Sequence, residues 1–334
     1  MSSPLSLAIE LVVCAALILV SGVRLSRYAD IIAQQTGLGG TWIGLVIVAT
    51  VTSLPEFITG ASSVVLFDVV DVAAGDVIGS CLFNLAILAL LDATHAIPLT
   101  ARIHQGHVLA AGFGVVQLGL LALASCLADR TPLLGWVGVP SFVFIAVYGL
   151  AVRIIFIFQR NMRAASGEPL DAHRRLVSLP LRVATLRLTA HATVLLVAAT
   201  FLPAIAKRLS QSTGLEQDFV GTLFVAVSTS LPEIVVSAAA VKVGALDMAA
   251  ANLLGSNLFN VAIIGFDDLL YTRGPLLADI APDHILTLAG AIAMTGIAII
   301  GLTFRAQHKH FRLSWDALAM LAVYTLCVTA LAYR

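Results

Sequence analysis

Apolar runs of about 20 residues recur along the whole chain, divided by short polar breaks, and that is the length a helix needs to cross a bilayer. Ten runs are read from the sequence, at 5–23, 42–66, 70–91, 106–127, 134–157, 183–206, 217–241, 246–266, 284–304 and 314–333. None shows the ten-residue alternation of a membrane barrel strand. Unpaired backbone groups cannot face hydrocarbon, so runs of this length predict helices. The predicted fold class is an all-α membrane protein with ten transmembrane helices.

Composition agrees with lipid as part of the solvent. Hydrophobic residues make up 59% of the chain and charged residues 11%, against roughly 45–50% and 25% in soluble proteins. That excludes a soluble enzyme and a disordered tail. With 19 charges of each sign, no electrostatic case exists for a nucleic-acid partner. Aromatics are only 7%, so small aliphatics carry the apolarity, as in closely packed membrane helices. Cys14, Cys81, Cys126 and Cys327 each lie in an apolar run without a CxxC pair; they read as buried small hydrophobes. The first run lacks a basic n-region and a small-x-small cleavage site, so it reads as a retained span.

Basic residues orient the chain. With both termini outside, the inner side holds Arg24, Arg27, Arg102, Arg153, Arg160, Arg163, Arg174, Arg175, Arg182, Arg187, Lys242, Arg305, Lys309 and Arg312. The outer side holds Arg130, Lys207, Arg208, Arg273 and Arg334. This is the positive-inside pattern of a multi-pass plasma (inner) membrane protein. The polar segment 158–182 is then a cytoplasmic basic loop, and the outer loop after span eight is acidic, with Asp267, Asp268, Asp279 and Asp283.

The chain repeats itself. Thr52-Ser53-Leu54-Pro55-Glu56 recurs as Thr229-Ser230-Leu231-Pro232-Glu233 at an offset of 177, and Gly79-Ser80 with Asn84 recurs as Gly255-Ser256 with Asn260 at an offset of 176. The first copy therefore carries one extra residue, expected in the FDVVD turn. Each copy sits on the second and third spans of a five-span half. Five is odd, so the second half enters the membrane upside down, an inverted repeat with its site at the midplane, as in secondary transporters. The halves are 1–157 and 183–334.

Glu56 and Glu233 lie mid-span, where an ionisable group is costly and so marks function. Pro55 and Pro232 precede them, and proline deprives the carbonyl four residues back, at Val51 or Ser228, of its helix bond. Opened backbone beside Thr52, Ser53, Thr229 and Ser230 offers hydroxyl, carbonyl and carboxylate oxygens. Such hard ligands suit Ca²⁺ and Na⁺. On the third span Asp76, Ser80 and Asn84 share one helical face, as do Asn252, Ser256 and Asn260 on the eighth; each stripe is expected to face the opposite copy's glutamate. Gly75, Gly79 and Gly255 read as close-packing positions. Glu10 and Asp316 are expected to reach the membrane interface, and His191 to pack there. No Walker, GxSxG, HExxH or kinase signature is present, so neither an ATP-driven pump nor a hydrolase is indicated.

The paired TSLPE and GS(N)xxN motifs resemble the α-repeats of the cation/calcium antiporter superfamily, specifically its prokaryotic sodium/calcium exchangers. The motifs cover about 90 residues, and the five-plus-five layout extends the likeness over the chain. The resemblance implies ion-binding carboxylates at Glu56 and Glu233. It implies hydroxyl ligands at Thr52, Ser53, Ser80, Thr229, Ser230 and Ser256, ligating carbonyls near Ala49 and Ala226, and a central inner pair at Asn84 and Asn260. It further implies Ca²⁺ and Na⁺ as competing transported ions, no cofactor and no catalytic residue. In such a mechanism spans one and six slide against a fixed core. The chain departs from the pattern at Asn260, where an aspartate is typical, and at Asp76 and Cys81, where asparagines are usual.

The leading expectation is a secondary antiporter that exchanges Ca²⁺ for Na⁺ by alternating access. The alternative is a Ca²⁺/H⁺ antiporter of the same fold, which would use the two glutamates as proton carriers. A gated cation channel ranks lower because broken helices in inverted repeats favour a transporter. A membrane-embedded enzyme would need a nucleophile or metal triad, and none is evident. Two glutamates neutralise one Ca²⁺ or two Na⁺. Asp76 is expected outside the core, about 12 Å along its helix from Asn84 at 1.5 Å per residue.

Overall fold

A computed structural model of the chain describes residues 4–35, 49–166, 179–309 and 312–333. Eight helices among them are long and apolar enough to cross a membrane. They are α1 Pro4–Gln35, α3 Val70–Asp92, α4 His107–Cys126, α5 Val139–Ser166, α6 Leu181–Thr213, α9 Leu246–Leu270, α10 His284–Phe304 and α11 Trp315–Ala332. A ninth span is a bent pair, α7 Gln217–Thr229 and α8 Leu231–Lys242, meeting at 45°. The short helix α2, Leu54–Ser62, carries the first glutamate motif; the start of its predicted span, 42–48, lies outside the described residues.

Several boundaries differ from the sequence reading. α1 and α6 have 32 and 33 residues and run well beyond the predicted 5–23 and 183–206. α5 continues to Ser166, so the start of the basic segment 158–182 is helix, not loop; 167–178 are outside the described residues. α9 continues to Leu270 and takes in Asp267 and Asp268, which are buried and not part of an acidic outer loop. The all-α expectation misses one small hairpin. Leu133 pairs with Gly138 and Leu134 with Val137 (strands β1 Leu133–Leu134 and β2 Val137–Gly138), so the fifth apolar run begins as strand.

The extra residue of the first copy is visible. Asp68 and Gly244 occupy equivalent left-handed turns, with φ of 54° and 80°. Ahead of Asp68 the helix makes a π turn over Ser63–Phe67, and a π turn absorbs one residue more than an α turn. The insertion therefore lies one turn before the expected FDVVD position. Helix hydrogen bonding takes it up and the loop is unchanged in register.

Burial sorts the helices. In α3 and α9, 89% and 83% of the apolar window is buried, against 22% in α1 and α5. α3 and α9 therefore form the centre and the others face lipid. The halves interlock: α4 and α5 pack on α9, while α10 and α11 pack on α3. Small residues allow the closest approach. A Cβ at Gly79 would sit 2.7 Å from Thr222 Cα and 2.9 Å from Ala226 Cβ, and one at Gly255 would sit 3.2 Å from Ala49 Cβ. These glycines let α3 and α9 touch the broken helices almost backbone to backbone.

α1 and α6 lie antiparallel. Arg208 pairs with Glu10 at 2.8 Å at one end. At the other, His191 stacks on Tyr28 with ring centroids 5.9 Å apart. Each touches the other half's motif helix. A Cβ at Gly22 in α1 would come within 2.9 Å of Pro232 Cβ, and Thr59 on α2 donates to the Ala199 carbonyl in α6 at 3.4 Å.

Polar side chains pin the two ends of the bundle. At one end Asp92 accepts from the Leu99 and Ser314 backbone at 2.6 and 2.7 Å and pairs with Lys309 at 2.8 Å. At the other, Asp268 accepts from Gly138 N–H at 2.9 Å, Ser141 hydroxyl at 2.5 Å and Leu276 N–H at 2.6 Å. Asp316, expected at the interface, is buried and accepts from Thr100 at 2.9 Å. It begins α11 against α10, where packing encloses it; its Oδ1 has no hydrogen-bond partner. Cys126, expected buried, is exposed at the end of α4.

Candidate ion-binding site

Proline starts each motif helix. Pro55 and Pro232 occupy the first turn of α2 and α8, where a missing N–H costs nothing because first-turn donors have no helix partner. Ser53 and Ser230 are the hinge residues, with φ/ψ of −88°/11° and −85°/7°. The break is thus a helix restart and not a strained interior proline. Ala49 O accepts from Ser53 N–H and Thr52 hydroxyl, both at 3.1 Å; Ala226 O accepts from Ser230 N–H at 3.0 Å and Thr229 hydroxyl at 3.1 Å. These two carbonyls therefore terminate the helices that precede the glutamates.

The glutamates are held across the two halves. Ser53 donates to Glu233 Oε1 at 3.2 Å, and Ser230 donates to Glu56 Oε1 at 2.9 Å. Ser80 and Ser256 donate to Glu56 and Glu233 respectively, each at 3.4 Å. The stripes on α3 and α9 therefore serve the glutamate of their own half, not the opposite one as expected. The hinge serines make the crossing, because Ser230 Oγ also lies 2.9 Å from Ser80 Oγ.

All of these side chains are fully buried. Each glutamate keeps one oxygen, Oε2, without a hydrogen-bond partner. A buried carboxylate oxygen without a donor calls for a cation or a proton. Among the described residues no three His, Cys, Asp or Glu side chains group as a metal centre would need. The donors are two carboxylates ringed by hydroxyls, a set of hard oxygen ligands.

The second ring of residues is asymmetric. Thr229 donates to Asp76 Oδ1 at 2.7 Å, while its counterpart Thr52 donates to Asn252 Oδ1 at 3.2 Å. Asp76, expected outside the core, is therefore bonded to one of its hydroxyls. The distance along α3 is unchanged, but the opposing half brings Thr229 to it. Asn84 donates to Asn257 Oδ1 at 2.9 Å, and Asn257 donates to the Cys81 carbonyl at 3.0 Å. Asn260 is buried beside the Cys81 thiol and makes no hydrogen bond to oxygen or nitrogen. The paired Asn84 and Asn260 are thus not bonded to each other. Asn257, the counterpart of Cys81, was missed; the GSN triplet that contains it was the available signal. A cavity lined by His107, Tyr148, Gln159, Gly255 and Leu258 reaches Ala49.

Pro232→Ala should extend α7 into α8, straighten the 45° bend and draw Ser230 away from Glu56. Cation affinity should fall about tenfold, roughly the loss of one hydrogen bond to a charged group. Stability should stay level, since a first-turn proline carries little of the interior penalty. Calcium titration of the purified variant by calorimetry checks the first effect and a melting curve the second.

A family model described as sodium/calcium exchanger protein matches residues 6–157 and 183–333. The inner membrane protein YrbG of Escherichia coli (strain K12) is 29% identical over 272 residues, 80% of each chain. The crystal structure of the H⁺/Ca²⁺ exchanger CAX superposes with a TM-score of 0.69 at 12% identity, covering 99% of this chain and 86% of that one. A structure of the sodium-calcium exchanger NCX_Mj superposes with a TM-score of 0.61 at 18% identity, covering 98% and 99%.

Proposed function

The chain belongs to the sodium/calcium exchanger protein family and is a multi-pass cation/calcium antiporter, and we propose that it exchanges Ca²⁺ for Na⁺ by alternating access. The observation that carries the proposal is the reciprocal hold on the two glutamates, Ser53 on Glu233 and Ser230 on Glu56. Ligands from both halves then meet in one buried centre, which α1 and α6 open to one side or the other as they slide past it.

In this reading Glu56 and Glu233 bind the ion through their unpartnered oxygens. Thr52, Ser53, Ser80, Thr229, Ser230 and Ser256 supply or orient hydroxyls, and Ala49 and Ala226 supply carbonyls. Asn84 and Asn260 line the centre. The ten helices form two inverted five-helix repeats with both termini outside, which places Asp92 and Lys309 inside and Asp268 outside. α1 and α6 are the moving pair, and the contacts of Gly22 with Pro232 and Thr59 with Ala199 couple their sliding to the motif helices.

Na⁺ is favoured over H⁺ as the coupling ion because each glutamate is bonded by serine hydroxyls. Such oxygens ligate a dehydrated Na⁺ directly, and the hydrogen bonds they donate favour the ionised carboxylate over the protonated one. Purified protein in liposomes should take up ⁴⁵Ca²⁺ against an outward Na⁺ gradient and not against an outward H⁺ gradient of equal size. Uptake driven by H⁺ alone would transfer the assignment to Ca²⁺/H⁺ exchange. Uptake that needs neither gradient would mean a channel.

A further inference from the structure

Asp267 and Asp268 are neighbours in α9 with opposite surroundings. Asp268 accepts three hydrogen bonds. Asp267 is fully buried and neither of its carboxylate oxygens has a partner. Its carboxyl lies directly on Gly60: a Cβ there would sit 2.9 Å from Asp267 Oδ1 and from Cγ. Gly60 is four residues, one helical turn, beyond Glu56. Asp267 therefore points toward the ion centre from the Asp268 end of the bundle.

The repeat explains the space it fills. Gly60 corresponds to Ser237, and Asp76 corresponds to Asn252. In the second half Asn252 donates to Ser237 at 3.1 Å, which closes the gap with a neutral bond. In the first half the serine is replaced by glycine and the asparagine by aspartate, and the Asp267 carboxyl enters from the second half. Asp76 stands at the position from which Asn252 reaches Ser237, so the same relation in the first half sets it beside Gly60 and the Asp267 carboxyl. Asp76 Oδ1 is held by Thr229, while its Oδ2 is unpartnered. Three buried carboxylate oxygens on these two residues thus lack donors, and Thr229 holds the remaining one. Two acids in that state take a cation or, in its absence, a proton.

We propose that Asp76 and Asp267 form a second cation subsite, for a monovalent hard cation, beside the Glu56–Glu233 centre. Resting on the exchange reading above, the cation is Na⁺. The pair then supplies the negative charge that Asn260 does not, and lets the protein hold more Na⁺ than two glutamates neutralise. Ca²⁺ remains neutralised by the glutamates, so it does not need this subsite.

The test is melting of the purified full-length protein in a choline buffer, titrated separately with Na⁺ and Ca²⁺, since an ion at concentration c stabilises the folded state by RT ln(1 + c/Kd) and the concentration at which the melting temperature begins to rise reports Kd. Asp267→Asn and Asp76→Asn should each raise the Na⁺ concentration at which melting begins to shift about tenfold or more and move the Ca²⁺ value less than about twofold. Gly60→Ser restores the side chain that the second half carries, displaces the Asp267 carboxyl and should give the same selective loss; it stands in if Asp267→Asn does not fold. Na⁺ and Ca²⁺ curves that coincide with wild type in these variants, or fall equally for both ions, overturn the subsite. So does a wild type with no response to Na⁺. The titration reads binding and not flux, so Na⁺-blind liposomes with a selective loss here would remove the exchange reading and leave the subsite. Na⁺-driven exchange with wild-type titrations in Asp267→Asn would do the reverse.

Discussion

Glu56→Gln and Glu233→Gln should each abolish Ca²⁺ uptake into liposomes while the protein remains folded. Each glutamate is fully buried, with Oε1 bonded by serine and Oε2 without a partner. A unit charge 4 Å from another is worth about 4 kcal/mol at an effective dielectric constant near 20, or roughly a thousandfold in affinity. Ca²⁺ carries twice that charge, so the loss should exceed what the flux assay resolves. The amide oxygen of Gln still accepts from Ser53 or Ser230, so the hydrogen bonds that hold the two halves survive. Elution as a single symmetric peak in detergent, together with a wild-type melting temperature, would show that folding is intact. Near-normal uptake by either variant would sink the assignment of these two residues as the ion centre.

The largest effect on stability is expected at the opposite kind of carboxylate. Asp92 terminates α3, receives backbone N–H groups from Leu99 and Ser314 and pairs with Lys309. The side chains of both charges are almost fully buried, at 3% and 4% exposure. Asp92→Ala leaves an ammonium and two N–H groups without their acceptor. Breaking a buried pair from one side costs about 3–5 kcal/mol, a large share of a typical 5–15 kcal/mol of total stability. Lys309 retains the Asp92 and His95 carbonyls, which keeps the cost toward the lower end. The melting temperature in detergent should fall sharply, and Asp92→Asn with Lys309→Met should recover part of the loss. A melting curve for Asp92→Ala that overlays wild type would show that this network contributes nothing to the fold.

These two carboxylates illustrate how much the sequence conveys. Glu56 and Glu233 were legible because each sits inside a 20-residue apolar run, where lipid makes a charge expensive, and because the duplication sets accident aside. Asp92 was not legible. It falls at the end of its run, where an acid ordinarily meets water, and only the fold brings the Ser314 N–H and Lys309 to it. Asp267 was misread for the same reason: one residue beyond a predicted span it resembles a loop acid, yet α9 continues and buries it.

Taken alone, the sequence determined the membrane environment, the helical class and the repeated motif with its two glutamates. It also determined that hydroxyl-bearing residues flank them. All of these follow from local chemistry, hydrophobic length, proline geometry and residue type, which neighbours in the chain carry with them. The tertiary structure alone decided which partner each group meets: that Ser53 and Ser230 cross to the other half's glutamate while Ser80 and Ser256 stay with their own, that Thr229 reaches Asp76, and that the Gly60 gap admits Asp267. Those contacts join residues 23 to 207 positions apart. Their register depends on where two glycine-lined helices are allowed to touch, and no periodicity within one helix encodes that.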